Sequence, residues 1–176
     1  MTPDQKQLLK VWIAAGLWLI VIAIESTQYL SSGYTARILY PILHFLLGLD
    51  RARFMIWHHY IRKSGHFVGY FVLSVLLFRA WRATLCKADI LVRQAGRNAR
   101  STQVEWAFRW AAIAFIMSAF VASLDEWHQS YIPSRTGAVS DVVLDSTAAL
   151  VAQIVIFFFL QAQRAKKPEE ARIAAG

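Results

Sequence analysis

Three groups of polar side chains interrupt an otherwise apolar sequence, and their residue types suit the binding or conversion of an anionic group. In the first group, Lys63, His66 and Tyr70 fall within an arc of about 60° on a helix that turns by about 100° per residue. The other two groups contain Asp125, Glu126 and Gln129, and then Arg135, Asp141 and Asp145. Lysine and arginine can clamp phosphate oxygens, histidine can transfer protons, and aspartate can act as a base or nucleophile.

The two aspartates of the third group lie four residues apart, which stacks Asp141 and Asp145 on one helix face together with Ala148 and Ala152. Small residues on such a face allow a neighbouring helix to approach closely. We therefore expect this face to point into a helix bundle, with Ala148 against another helix.

The elements that must position these groups are predicted to be membrane-spanning helices. The chain has 57% hydrophobic residues and a mean hydropathy of +0.39, more apolar than a soluble domain of 176 residues. A spanning helix needs about 20 mostly apolar residues. The apolar blocks predict one all-α membrane domain, residues 1–176, with four spans at approximately 11–30, 63–81, 106–124 and 140–160.

Two segments between the first and second spans are harder to assign. Residues 36–49 are apolar but short, and they contain Pro41 and His44, which favours a re-entrant or interfacial helix over a span. Residues 54–61 are rich in aromatic side chains and are typical of an interfacial segment. No clear cleavage site follows Ile24, so the first block is expected to be a retained helix rather than a signal peptide.

The distribution of basic residues predicts the orientation. With both termini in the cytoplasm, thirteen of the nineteen Lys and Arg residues fall on the inner side. Ten of them lie in the N-terminal segment, a basic loop at 83–105 and a tail at 161–176, and the others are Arg79, Arg82 and Arg109 near the inner ends of spans. This topology explains the net charge of +8 without nucleic-acid binding. It also brings the three polar groups to the outer face. Cys86 is the only cysteine, so no intramolecular disulfide can form.

The polar residues also allow two interpretations that involve no substrate. Lys63, His66 and Arg135 could pair with Asp125, Glu126, Asp141 and Asp145 and simply join the helix ends. A metal site drawn from His66, Asp125, Glu126, His128 and Asp141 is chemically possible. No short-spaced ligand motif such as H-E-x-x-H occurs, however, and the sequence predicts neither a metal nor a cofactor.

At these residues the chain resembles the VanZ-like family of bacterial membrane proteins, over most of its hydrophobic length. The motifs are Arg62-Lys63-x-x-His66-Phe67-x-x-Tyr70, and Asp125-Glu126-x-x-Gln129-x-x-x-Pro133-x-Arg135 followed by Asp141-Val142 and Asp145. Gly69, Ser134 and Ala148 depart from the residues common in the family. The resemblance implies a multi-pass protein of the bacterial cytoplasmic membrane, and a founding member associated with teicoplanin resistance. It implies a family more than a mechanism.

A weaker resemblance concerns the type 2 phosphatidic acid phosphatases. Lys63-Ser64-Gly65-His66 is similar to their P-S-G-H motif, and Ser134-Arg135 with Asp141 and Asp145 is similar to their S-R-x5-H-x3-D motif. Asp141 stands where that family has its nucleophilic histidine, and the upstream basic motif is absent.

Two functions therefore remain open. The first is binding or protection of an envelope component, either a lipid-linked precursor or a glycopeptide, in contact with membrane lipids. Its binding residues would be Lys63, Tyr70, Asp125, Glu126, Gln129, Arg135 and Asp145. The second is an enzyme acting on a lipid phosphate or head group, with Lys63 and Arg135 as clamps, His66 as acid/base and Asp141 as nucleophile or base. The sequence leaves the oligomeric state open.

Overall fold

The protein is described by a computed structural model over residues 3–27, 32–94, 102–132 and 137–173. Within these residues the chain forms five helices, which confirms the predicted all-α class. They are α1 (Pro3–Glu25), α2 (Ser32–Leu47), α3 (Arg51–Gln94), α4 (Thr102–Gln129) and α5 (Val139–Ile173).

Four of the described helices are long and apolar enough to cross a membrane, as predicted. The candidate spans are Gln5–Glu25, Arg51–Thr84, Phe108–Gln129 and Val139–Gln163. Large apolar side chains such as Leu17, Phe120, Val143 and Phe158 remain more than half exposed on them. Hydrocarbon offers no hydrogen bonds to the backbone, so helices that satisfy their own amides are the stable form there. The exposed apolar faces contact lipid, and the chain is a multi-pass membrane protein.

Helix α3 extends well beyond the predicted second span. Its 44 residues would measure about 66 Å at 1.5 Å per residue, roughly twice the thickness of the hydrocarbon core. The aromatic segment 54–61 forms its first turns. The basic segment 83–105 contains less irregular structure than predicted, because α3 continues to Gln94 and α4 begins at Thr102. No glycine or proline occurs between positions 70 and 95 to end the helix earlier.

Segment 36–49 lies mostly within the short helix α2, which folds back against the first turns of α3. The ring of Tyr40 contacts that of Phe54 at 5.2 Å, and Thr35 Oγ1 lies 2.9 Å from His58 Nε2. Gly48 follows the helix with a φ of 63°, a conformation that glycine adopts without strain. Asp50 directly precedes α3, and its Oδ1 accepts the Arg53 N–H at 2.8 Å.

Helix α3 packs against α1, α4 and α5, and the core lies along these contacts. Its buried residues include Leu73 and Leu77 from α3, Ala114 and Ala122 from α4, and Ala148, Ala149 and Ala152 from α5. The Trp18 indole N–H donates to the Gly69 carbonyl at 2.8 Å and ties α1 to α3. The buried alanines confirm that the Asp141–Asp145–Ala148–Ala152 face points into the bundle, where it permits close packing of α5.

Candidate functional site

Polar contacts join α3 and α5 in successive turns. Lys63 Nζ lies 3.1 Å from Asp141 Oδ1, and His66 Nδ1 lies 3.5 Å from Asp145 Oδ2. The paired residue numbers rise together along both helices, so α3 and α5 run parallel here. Helical spacing of three or four residues places the second pair about one turn deeper than the first.

The same row of contacts continues further into the bundle. The Ser74 hydroxyl donates to the Ala149 carbonyl at 3.0 Å, and the Gln153 amide donates to Ser74 Oγ at 2.6 Å and to the Ser74 carbonyl at 3.1 Å. Ser74 lies eleven residues beyond Lys63, or about 16 Å along α3. Ser74 and Gln153 were not among the predicted site residues. The signal was available, since Ser74 follows Tyr70 by one turn and Gln153 follows Asp145 by two.

Helix α4 adds a buried carboxylate held by two neutral donors. The Tyr70 hydroxyl donates to Asp125 Oδ2 at 3.2 Å, and the Gln129 amide donates to the same oxygen at 3.1 Å. All three side chains are buried. Asp125 is therefore anchored from α3 and from the next turn of its own helix.

Glu126 connects the end of α4 to the start of α5. Its side chain is buried, and Oε2 accepts the Ala138 backbone N–H at 2.9 Å. The other oxygen, Oε1, is buried and has no hydrogen-bond partner among the described residues. Glycine is required at position 137, because a Cβ there would lie 2.5 Å from the Glu126 carbonyl oxygen. The close approach of Gly137 to Glu126 thus fixes Oε2 of the carboxylate and leaves Oε1 without a hydrogen bond among the described residues.

Asp145 is the most enclosed ionisable residue of the site. Its exposed fraction is 0%, and neither carboxylate oxygen has a hydrogen-bond partner in the described parts of the chain. The 3.5 Å contact with His66 is long for a hydrogen bond. Ligating atoms of His66, Glu126 and Asp145 all lie within 4.8 Å of one another. Two buried carboxylates and an imidazole therefore face the same small volume.

Eight of the nine predicted site residues come together in this arrangement, which we call the polar cluster. Its members are Lys63, His66, Tyr70, Asp125, Glu126, Gln129, Asp141 and Asp145. Arg135 lies outside the described residues. Lys63 and Asp141 form one of the pairings between a cation and a carboxylate that the sequence allowed. His128 does not join the cluster, because its Nδ1 lies 3.3 Å from Ser26 Oγ of α1.

Exposure falls steadily from one end of the polar cluster to the other. The side chains of Lys63 and Asp141 are 39% and 32% exposed, His66 is 19% exposed, and Asp145 is closed off. We call the Lys63–Asp141 pair the rim. The rim lies at the end of the bundle where the second predicted span begins, so the cluster is accessible from that membrane face.

The polar cluster carries more negative than positive charge. Among the described residues it contains four carboxylates, at Asp125, Glu126, Asp141 and Asp145, and two basic side chains, at Lys63 and His66. In a bundle surrounded by lipid, such an excess favours a bound cation or neutral carboxyl groups.

An apolar groove of about 1030 Å³ lies between α4 and α5 towards the opposite end of the bundle. Its lining includes Phe108, Phe115, Phe157 and Leu160, with Arg109 and Gln161 among the few polar residues. Gln153 also lines this α4–α5 groove. Since Gln153 is the deepest member of the polar row, the groove and the row meet there.

One comparison with known proteins identifies a family. A family model described as VanZ/LLP1 matches residues 11–161, a range that contains the whole polar cluster. Searches of the curated proteins and of the solved structures found no match.

Proposed function

Because the chain belongs to the VanZ/LLP1 family, whose model covers residues 11–161, we propose that it binds the polar head group of a lipid-linked envelope precursor at the polar cluster. The observation that carries this proposal is the gradient of exposure. Ionisable side chains from three spans lie together, and their exposure decreases from Lys63 and Asp141 at the rim to the buried Asp145.

Helix-end pairing alone does not account for this arrangement. It explains the Lys63–Asp141 contact, but Asp145 and Glu126 still carry buried oxygens without hydrogen bonds among the described residues. A buried unsatisfied carboxylate costs about 1–3 kcal/mol or more. Ionisable groups at membrane depth are retained where they serve a ligand or a transport path. A ligand bound at the polar cluster would interact with these buried carboxylates and offset the cost of burying them.

The α4–α5 groove favours a lipid over a soluble glycopeptide. The head group would meet Lys63 at the membrane boundary, and the hydrocarbon chain would follow the groove beyond Gln153. Lys63 would bind a phosphate oxygen by a charge-assisted hydrogen bond. A glycopeptide would need only the rim and would leave the groove to ordinary lipids.

The test is a binding measurement with the full chain in lipid nanodiscs. The probe is a fluorescent polyprenyl diphosphate carrying a disaccharide. We expect Lys63→Ala to weaken its binding by about tenfold or more, the loss of one charge-assisted contact. Lys10→Ala removes an exposed lysine of α1, far along the chain from the polar cluster, and should bind normally.

Equal affinity of the Lys63→Ala variant and the wild type would contradict the proposal. If the same nanodiscs bound teicoplanin but not the polyprenyl probe, the rim would be assigned to a glycopeptide instead.

A second candidate function is hydrolysis of a lipid phosphate, and two contacts favour it. The two segments that resemble the phosphatase motifs meet in space, with His66 beside Asp145 and Lys63 beside Asp141. His66 would act as acid/base, and Asp141 would act as nucleophile or base once Lys63 turns to the phosphate. Phosphate release from the polyprenyl probe tests this. His66→Asn should then abolish release while the probe still binds.

A further inference from the structure

We propose that His66, Glu126 and Asp145 form a binding site for one divalent transition-metal ion. Each residue comes from a different helix, α3, α4 and α5, and their ligating atoms lie within 4.8 Å of one another. Glu126 and Asp145 are buried, and His66 lies between them and the rim.

The spacing of the three residues fits a metal with small side-chain rotations. Nitrogen and oxygen ligands lie about 2.0–2.2 Å from zinc, which places pairs of ligand atoms about 3–4 Å apart. The observed limit of 4.8 Å exceeds this by less than one ångström. No helix has to move for the three groups to converge on one ion.

The hydrogen-bond pattern supplies independent support for a ligand at this point. Glu126 Oε1 and both oxygens of Asp145 are buried, and none has a hydrogen-bond partner in the part of the chain that the structure describes. Carboxylates in such surroundings are normally paired or coordinate a metal. Asp145 Oδ2 lies 3.5 Å from His66 Nδ1, and a divalent ion would also offset the acidic excess of the polar cluster.

The neighbouring contacts resemble those that orient metal ligands. Glu126 is held through Oε2 by the Ala138 N–H, which leaves Oε1 free to coordinate. Asp125 Oδ2 accepts hydrogen bonds from Tyr70 and Gln129. Such outer contacts fix the geometry of the ligands and tune the bound ion.

The donor set indicates the class of metal. One imidazole and two carboxylates suit Zn²⁺, Mn²⁺ or Fe²⁺ better than Ca²⁺ or Mg²⁺, which prefer all-oxygen sites, or Cu⁺, which prefers sulfur. Three protein ligands leave at least one coordination position for a further oxygen. The position towards the rim, beside Lys63, would take a phosphate oxygen of the head group proposed above.

The metal site deepens the proposed function but is measured separately from it. The full chain is purified in detergent without chelator, incubated with Zn²⁺ or Mn²⁺, and desalted, and its metal content is determined by mass spectrometry. We expect close to one ion per chain for the wild type, and about a tenth of that or less for Glu126→Gln and Asp145→Asn. Asp50→Asn is the matched control, since it removes an exposed carboxylate outside the polar cluster.

A second measurement does not depend on how well those variants fold. His66→Cys replaces the imidazole by a thiolate, and Co²⁺ bound to a thiolate gives a charge-transfer absorption in the near ultraviolet. We expect this band in His66→Cys and not in the wild type, which contains Cys86 alone. The site is overturned if the folded wild type keeps no metal and His66→Cys shows no band, or if Asp50→Asn loses metal as fully as Asp145→Asn. Normal metal content without lipid binding would overturn the proposed function only.

Discussion

His66 lies directly against Asp145, with 3.5 Å between Nδ1 and Oδ2, and the aspartate behind it is completely enclosed by the bundle. One turn nearer the membrane face, Lys63 contacts Asp141 at 3.1 Å. The two pairs differ in surroundings, because the outer pair is partly solvated and the inner pair is not. The outer pair suits ligand capture, and the inner pair suits a charge that a ligand or metal stabilises.

The first prediction concerns Asp145→Asn. Asparagine keeps the shape of the side chain and removes a carboxylate that lacks hydrogen bonds among the described residues. Burying a charge that lacks a full set of partners carries a desolvation cost, and the variant removes that cost. We therefore expect its melting temperature in detergent to be unchanged or higher. We expect lipid binding to be lost. If the His66–Asp145 contact had a purely structural role, the free energy of unfolding of Asp145→Asn would instead fall by about 3–5 kcal/mol.

The second prediction concerns the close return of the chain at Gly137. In Gly137→Ala the new Cβ would lie 2.5 Å from the Glu126 carbonyl oxygen, so the connection must shift and the Ala138–Glu126 hydrogen bond must lengthen or break. We expect destabilisation of about 1–3 kcal/mol, measured by thermal unfolding in detergent. Gly65→Ala is the control. It lies within α3 with open space around the added methyl group, so it should be neutral or slightly stabilising.

Sequence reasoning predicted the membrane bundle and most of the polar cluster because both depend on local properties. Blocks of about 20 apolar residues predict spans, and helical periodicity alone places Lys63 with His66 and Asp141 with Asp145. Which cation pairs with which carboxylate depends on how far one helix is shifted along its axis relative to the other. No short sequence pattern encodes that shift. For the same reason the sequence brought His66, Glu126 and Asp145 to one membrane face but did not select them as one set, since they come from three helices.

The extent of α3 was harder to predict than its span. Polar residues after position 82 suggested a loop, but a run without glycine or proline continues as helix to Gln94. Residues 36–49 were predicted to form a short helix between the first two spans, and the short helix α2 confirms it. The contact of Tyr40 with Phe54 packs this helix against α3.

The third prediction concerns packing along α5. Ala148 is fully buried between helices, so Ala148→Leu must displace its neighbours. We expect the free energy of unfolding to fall by about 1–3 kcal/mol, a range typical of overpacked cores. Val143→Leu enlarges a side chain of the same helix that is 60% exposed to lipid, and it should unfold like the wild type. Equal stability of Ala148→Leu and Val143→Leu would show that this face of α5 is not packed.

The fourth prediction concerns orientation. Cys86 lies in the part of α3 that follows the span, on the side predicted to be cytoplasmic from the bias of lysine and arginine. A membrane-impermeant thiol reagent should therefore label it only after the cytoplasmic membrane is opened. Labelling in intact spheroplasts would invert the topology and move the rim to the cytoplasmic face.

The fifth prediction separates the structural and functional roles of the rim. An exposed or half-exposed ion pair contributes only about 0–1 kcal/mol, so exchanging its members in the double variant Lys63→Asp, Asp141→Lys should leave the melting temperature within a few degrees of the wild type. The exchange keeps the net charge and the contact across α3 and α5, but it moves the cation from α3 to the first turn of α5. A phosphate positioned over Lys63 would then meet a carboxylate. We expect binding of the polyprenyl diphosphate probe to fall by about tenfold or more, as in Lys63→Ala. Recovery of normal binding in the exchanged protein, after loss in Lys63→Asp alone, would mean that the rim serves only to join two helices.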